Sequence, residues 1–526
     1  MAHGSLALIL HAHLPFVRHP EHETSLEEDW FFEAMSECYI PLLQVFEGLV
    51  RDAVSFRITI SLSPPLLTMM TDPLLQTRYI AKLESLIALS YQEMQRTQGQ
   101  PDHHRLARHY HQWFSRTREL FIHHYDRNPV EAFKYLQNSG KIEIITTAAT
   151  HGYLPLLAQN PQAQRAQVSV ALDLYRQLFG RPAQGFWLPE CGYDTGLDTL
   201  LKEHGITYFV LETHGVLHAS QRPQCGVFAP LCCPAGIAAF GRDALTSRQV
   251  WSARDGYPGD ADYREFYRDI GHDLAEEDIA PYLPAHGIRT QTGIKYYRIT
   301  GGDSEKQLYN PEAAREKARE HAEHFIRSKI EQAASVQALC ERTPVIVAPF
   351  DAELFGHWWY EGPLWLDGVL RCAAARQNDL QLITPSDYLN RYPDNQQARP
   401  AASSWGWQGY NEAWVDPVND WIYPRLHRAA DCLTGLARRH ITPDDTTRRA
   451  LNQAARELLL AQSSDWAFMM KAGTTAEYAV KRTREHLENV MRIEDTLKHR
   501  AIDIEWLRSL EERHNIFPDI DYRVYA

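Results

Sequence analysis

The chain has 526 residues, 44% of them hydrophobic and 23% charged, the composition of an ordinary globular protein with ample length for a large core. Lys and Arg number 54 against 67 Asp and Glu, a net charge of −13, which argues against a nucleic-acid partner because no global basic field is present. The apolar run Ser5–Leu10 has no basic flank or small-residue cleavage site, and it is too short to cross a bilayer.

The eight cysteines lack CxxC spacing, so reduced thiols and a cytoplasmic location are expected. Aromatic residues reach 11%, including 13 Trp and 25 Tyr. Such rings serve either as core or, beside carboxylates on loops, as sugar-stacking faces.

In chain order, short apolar and β-branched runs end abruptly in polar residues: Leu6–Leu10 before His11, Phe56–Ile60 before Ser61, and Ile142–Ile145 before Thr146. Gly185–Leu188 precedes Pro189-Glu190, Tyr208–Leu211 precedes Glu212, and Val345–Ala348 precedes Pro349-Phe350-Asp351. Continuous apolar character predicts strands buried on both faces, less well where Arg57 and Glu143 intervene. Helices are predicted between them, one opening at Asn310 as N-cap with Pro311 at N1. Its apolar residues are Ala314, Ala318, Ala322, Phe325 and Ile330.

Strand–helix alternation predicts an α/β parallel sheet or barrel, with chemistry at the C-terminal strand ends. Residues 72–138, His-rich and helix-like, form a predicted helical insertion between barrel segments 1–71 and 139–395. The stretch Asn390–Ser404 is read as a linker, and 396–526 as a mostly helical C-terminal domain. Within it, Thr442-Pro443-Asp444-Asp445 reads as a capping box. Leu451, Ala454, Ala455, Leu458 and Leu459 give the apolar face of the helix that follows.

The candidate chemistry sits at strand ends. His11 and His13, two apart on a strand, face one side as metal ligands, hydrogen-bonding groups for substrate hydroxyls, or paired structural histidines. Glu190 lies between Pro189 and the Cys191-Gly192 turn, flanked by Trp187 and Tyr193. Asp351 closes the Val345 run ahead of Glu353, His357, Trp358 and Trp359, either as a reacting carboxyl or as a helix N-cap. Glu353 is a second candidate acid, which a helix starting here would turn away. Two strand-end carboxylates ringed by Trp suit glycosidic bond cleavage, one as nucleophile and one as proton donor. Desolvation by the aromatic shell favours the acid role. Trp405, Trp407 and Trp414 cluster around Gly406 and Gly409, as a sugar-binding loop or an interdomain plug. Gln462–Trp466, with Asp465, is a weaker polar–aromatic candidate. The cluster His103, His104, His109 and His111 reads as a solvated helix face.

These motifs together resemble glycoside hydrolase family 57. The resemblance rests on His11-Ala12-His13-Leu14-Pro15, Ala149–Pro155, Gly185–Tyr193, Ala348–Trp359 and Trp405–Trp414. It is strongest with the family's α-1,4-glucan branching enzymes, through His151–Pro155, Gln249–Ser252, Gly256–Asp260 and Tyr263–Asp269. The resemblance implies an incomplete (β/α)7 barrel with a helical insertion and a helical C-terminal domain. It implies a retaining mechanism with Glu190 as nucleophile and Asp351 as acid/base, no metal or cofactor, and an α-1,4-glucan substrate for a monomer or small homo-oligomer. The implied substrate-site residues are His11, His13, His151, Trp187, Arg264, His272, His357, Trp358, Trp405, Trp407, Trp414, Asp465 and Trp466.

Branching members carry a loop tyrosine over the site. Here only Phe228 and Phe240 are aromatic in 225–243, and His272 stands where Trp is frequent. These departures bear on the balance of transfer against hydrolysis, with an amylase or a 4-α-glucanotransferase as alternatives. From other classes, a metal-dependent carbohydrate hydrolase or deacetylase would use His11, His13 and Asp351 as ligands, and a non-catalytic glucan binder would use the Trp shell alone.

Overall fold

The computed structural model describes residues 2–252, 255–283, 288–301 and 305–526. Nine strands are formed among the described residues: β1 (Gly4–Ala12), β2 (Ile58–Leu62), β3 (Ile142–Ile145), β4 (Gly185–Phe186), β5 (Tyr208–Leu211), β6 (Leu231–Cys232), β7 (Ala238–Gly241), β8 (Val345–Asp351) and β9 (Leu380–Leu382). All nine residues of β1 are buried, as its unbroken apolar run predicts.

One sheet has the parallel order β3-β2-β1-β8, with β9 pairing the N-terminal end of β1. The other runs β4-β5-β7-β6, and only β6 is antiparallel. Two seams join the sheets. Trp187 N–H donates to Thr146 O at 2.8 Å beside a Thr146–Phe186 bridge, and Asp243 N–H donates to Val347 O at 2.9 Å.

Helices fill the crossovers between parallel strands. Ile40–Arg51 links β1 to β2, Pro161–Phe179 links β3 to β4, and Pro311–Gln337 leads into β8. The last starts as predicted, with Asn310 accepting from the N–H groups of Glu312 and Ala313. The β2–β3 connection carries the long helices Pro73–Arg96 and Pro101–Glu119. The C-terminal region is helical, from Ile422–Arg439 through Asp445–Ala461, Ser464–Ala472 and Ala476–His499 to Ile504–Arg513.

Several local expectations are corrected. Arg57 precedes β2 and pairs with Asp387, so of these two charged residues Glu143 alone lies within a strand; Ser386 Oγ–H donates to it. The capping residue near 442 is Asp444, which accepts from Thr447 N–H at 2.9 Å. Stretch 390–404 is no slack linker: it runs alongside the second sheet, bridging Cys232 through Gln397 and Tyr193 through Ser403. His103, His104, His109 and His111 of the insertion are half-buried rather than solvated. His109 Nε2 bonds Tyr360 Oη at 3.2 Å and His111 Nδ1 bonds Ser90 Oγ at 3.1 Å. Segment 225–243 forms the β6–β7 hairpin, where Phe240 packs with Tyr208 and Tyr388 in the core.

Candidate functional site

Parallel register brings the polar strand ends to one level. His11 lies beside Ser61 of β2 and Asp351 of β8. Its ring stacks on Trp187 at 4.5 Å, while Nδ1 bonds Ser61 Oγ and Nε2 bonds His151 Nε2, both at 3.0 Å. His13 stacks on His151 at 3.9 Å and pairs through Nε2 with Asp465 at 3.0 Å.

Glu190 follows β4 in a tight turn where it and Cys191 adopt left-handed backbone, with φ of +59° and +50°. Non-glycine residues rarely hold this conformation, and such strain concentrates at functional sites. The turn delivers the carboxylate to two donors: Trp405 Nε1–H to Oε2 and Ser464 Oγ–H to Oε1, both at 2.9 Å. Asp351 ends β8, and its carboxyl caps no helix. Glu353, in the turn Ala352–Leu354, is not rotated away as expected, because its Oε1 accepts from His13 N–H at 3.0 Å and from Tyr39 O–H.

Glu190, Asp351 and Glu353 line one cavity of about 710 Å³ with His11, His13, His151, Asp465, Trp405, Trp407 and Trp414. Arg242, Trp251, Glu412, Phe468 and Lys471 complete much of its wall.

The carboxyls are electrostatically unequal. Burial, then the Glu353 and Glu190 carboxylates, push the Asp351 pKa well above the usual range. Burial also raises Glu190, but hydrogen bonds from Trp405 and Ser464 favour its charged form and oppose the rise. Burial, reinforced by the charge of His13, keeps His11 and His151 well below the normal imidazole pKa, hence neutral. For His13 burial acts the same way, yet the Asp465 carboxylate outweighs it and raises the pKa.

Among the described residues, two groups of side chains come close enough to share a cation: His13 with His151 and Asp465, and Glu457 with His486 and His514. In the first, His13 Nε2 and Asp465 bind each other, and both nitrogens of His151 are taken by His11 and Ser464. In the second, Glu457 already accepts from His486, His514, Gln453 and Asn489. The trio His11, His13 and Asp351 is not one of these groups.

The sequence profile of glycosyl hydrolase family 57 matches residues 7–399, and that of the 1,4-alpha-glucan branching enzyme C-terminal region matches residues 425–525. The chain belongs to glycosyl hydrolase family 57. It is 32% identical to a 1,4-alpha-glucan branching enzyme of Thermococcus kodakarensis, over 98% of this chain and 77% of that protein. Among solved structures, an α-amylase of Thermotoga maritima superimposes with TM-score 0.93 at 42% identity, covering 99% of both chains. A family 57-type branching enzyme of Pyrococcus horikoshii gives 0.89 at 33%, covering 99% of this chain and 97% of that one.

In this family 57 glycosidase, some residues singled out from the sequence lie away from the cavity wall. Trp187 is fully buried behind His11. Trp466 is also buried, its indole donating to Leu460 O at 2.8 Å. Asp465 and Trp466 part company because successive helix positions differ by about 100°. Asp465, Phe468 and Ala472 share the cavity face, while Trp466, Ala467 and Met470 face the core. Arg264 is buried against Tyr360 and paired with Glu37 at 3.0 Å. His357 binds the same Glu37 at 2.7 Å, Trp358 stacks on Phe266 at the surface, and His272 is exposed.

The sequence reading passed over Arg242, Glu412, Phe468 and Lys471. Arg242 directly follows β7, the strand-end signal that marked Glu190 and Asp351. Spacing of i, i+3 and i+7 from Asp465 would have found Phe468 and Ala472.

Proposed function

We propose that the chain is a retaining α-glucan branching enzyme. It cleaves an α-1,4 bond with Glu190 as nucleophile and Asp351 as acid and base, then transfers the released chain to a 6-hydroxyl. The carrying observation is the inequality of two carboxyls in one cavity: Glu190 accepts from two donors that favour its charged form, whereas Asp351 faces the Glu353 and Glu190 carboxylates with no donor to it among the described residues. Divergent environments of this kind assign base or nucleophile to one carboxyl and acid to the other.

In the first half-reaction a Glu190 oxygen bonds the anomeric carbon as the glycosidic C–O bond breaks, and the leaving oxygen takes the Asp351 proton. In the second, Asp351 removes the proton of the acceptor hydroxyl, whose oxygen bonds the anomeric carbon and releases Glu190. The neutral His11–His151 pair, the His13–Asp465 pair and Trp405, Trp407 and Trp414 supply hydrogen bonds and stacking faces for sugar rings.

Branching is supported by the names of the Thermococcus and Pyrococcus relatives and by the C-terminal profile match. The likeness to an α-amylase at 42% identity favours hydrolysis as a second reading. So does the cavity wall, which includes no tyrosine among the described residues. In the same proposal the two joined sheets form the incomplete (β/α)7 barrel, made of 1–71 and 139–395. Residues 72–138 are its helical insertion, and 396–526 form a C-terminal domain that lends Trp405, Trp407, Trp414 and Asp465 to the site.

Incubation with amylose, followed by debranching and chain-length analysis, tests the reading. New short chains released only on debranching are expected. Linear products with rising reducing ends would assign an amylase, and redistributed linear chains a 4-α-glucanotransferase. Undiminished turnover in chelator is expected; loss restored by a divalent metal would favour the metal-dependent class.

A further inference from the structure

Among the other carboxylates lining the cavity, Glu353 is one that the two-carboxyl mechanism leaves unused. Glu353 sits two residues beyond Asp351, and two donors from different elements pin its Oε1. These are the backbone N–H of His13, just past β1, and the hydroxyl of Tyr39, from the single-turn π-helix Met35–Tyr39. Oε2 makes no hydrogen bond with the described residues and belongs to a side chain lining the cavity. Asp351, in contrast, accepts no hydrogen bond from them. Two nearby buried carboxyls avoid carrying two charges, and donors to one of them fix the shared proton on the other.

We propose that Glu353 is a positioning residue that remains ionised and holds the proton on Asp351, so that Asp351 enters the reaction as an acid. This rests on the proposed roles of Glu190 and Asp351. The groups facing the pair are Glu190 and Cys191 from the turn after β4, Arg242 from the end of β7, His13 just past β1, and Tyr39 and Cys38 from the π-helix. Arg242 is the cation among those facing Asp351, and Glu212 already engages it at 2.9 Å.

The placement separates the two half-reactions. Once Glu190 is esterified by the sugar its negative charge is gone, and Asp351 then loses its proton more readily and acts as base. Burial raises the Glu353 pKa too, but the hydrogen bonds from Tyr39 and His13 N–H oppose that rise and favour its charged form in both half-reactions. Burial and these neighbours give the direction of the effect: without the Glu353 charge, Asp351 ionises at lower pH.

The test is the pH profile of kcat/KM on amylose for Glu353→Gln, Glu353→Asp and Tyr39→Phe. For Glu353→Gln the basic limb moves down by about one pH unit or more, and turnover falls correspondingly at neutral pH. Tyr39→Phe, which weakens the bond favouring ionised Glu353, moves the limb the same way by less. Glu353→Asp keeps the charge and restores the limb toward its original position. With α-maltosyl fluoride, whose leaving group needs no proton, the Glu353→Gln loss is smaller than on amylose.

An unmoved basic limb in both Glu353→Gln and Tyr39→Phe overturns the inference, as does an equal loss on both substrates at every pH. Glu190→Gln is assayed in parallel. If it is inactive while the limb stays put, this inference alone fails; if it retains full activity, the underlying assignment fails.

Discussion

Replacing Trp405 by Phe keeps an aromatic ring in the wall but deletes the indole N–H that donates to Glu190 Oε2 at 2.9 Å. A hydrogen bond to a charged group is worth about 1.5–3 kcal/mol, and one pKa unit corresponds to about 1.4 kcal/mol. The lost donor stabilised the carboxylate, so the Glu190 pKa, already raised by burial, rises by a further one to two units, on this order-of-magnitude conversion. The acid limb of kcat/KM, which reports the nucleophile losing its proton, therefore moves to higher pH by the same amount. Ser464→Ala removes the second donor, to Oε1 at 2.9 Å, without touching the aromatic wall. It separates the hydrogen bond from sugar stacking: both variants move the acid limb upward, whereas only Trp405→Phe also raises KM. An acid limb unchanged in both variants would refute the assignment of Glu190 as the group that must be ionised.

Three further outcomes follow from packing. Glu457, wholly buried and accepting from His486, His514, Gln453 and Asn489, has its pKa held well below normal. Burial opposes this, and the charges and hydrogen bonds of His514 and His486 overcome it. Because the folded pKa is depressed, its stabilisation is complete above the unfolded value and is lost as pH falls below about 4.3. Glu457→Gln is expected to cost about 3–5 kcal/mol, read by calorimetry as a lower unfolding temperature at pH 7, with little further loss in acid. Gly356 has φ of +117°, and an added Cβ would stand 1.7 Å from the Glu37 carbonyl oxygen. Gly356→Ala accordingly costs about 3 kcal/mol or more, also read by calorimetry. Phe228→Ala leaves the ratio of branch formation to hydrolysis unchanged in the debranching assay, because Phe228 does not line the cavity.

The parallel strands were legible because strands buried on both faces demand unbroken apolar runs, and the cavity carboxyls Glu190 and Asp351 were legible because such runs stopped at or just before them. The β6–β7 hairpin and β9 escaped notice: Leu231–Cys232, Ala238–Gly241 and Leu380–Leu382 are two to four residues long, with no β-branched residue. Side-chain direction inside the site was harder to read. Glu353 stays in the cavity because His13 N–H and Tyr39 O–H hold it there, and both partners are more than 300 positions away in sequence. Arg264 and His357 converge on Glu37 across 227 and 320 positions, so their burial in an ion-pair cluster was invisible in local pattern. The half-buried insertion histidines likewise depend on Tyr360 and Ser90, which no helical periodicity reveals.

The account stands most directly on whether a sugar becomes covalently attached to Glu190. Protein incubated with a fluorinated maltosyl fluoride, whose intermediate forms faster than it breaks down, should gain the mass of one glycosyl unit. Peptide mapping should then locate that unit on Glu190, with no adduct in Glu190→Gln. Complete turnover with no trapped species, or an adduct on Asp351 or Glu353, would contradict it.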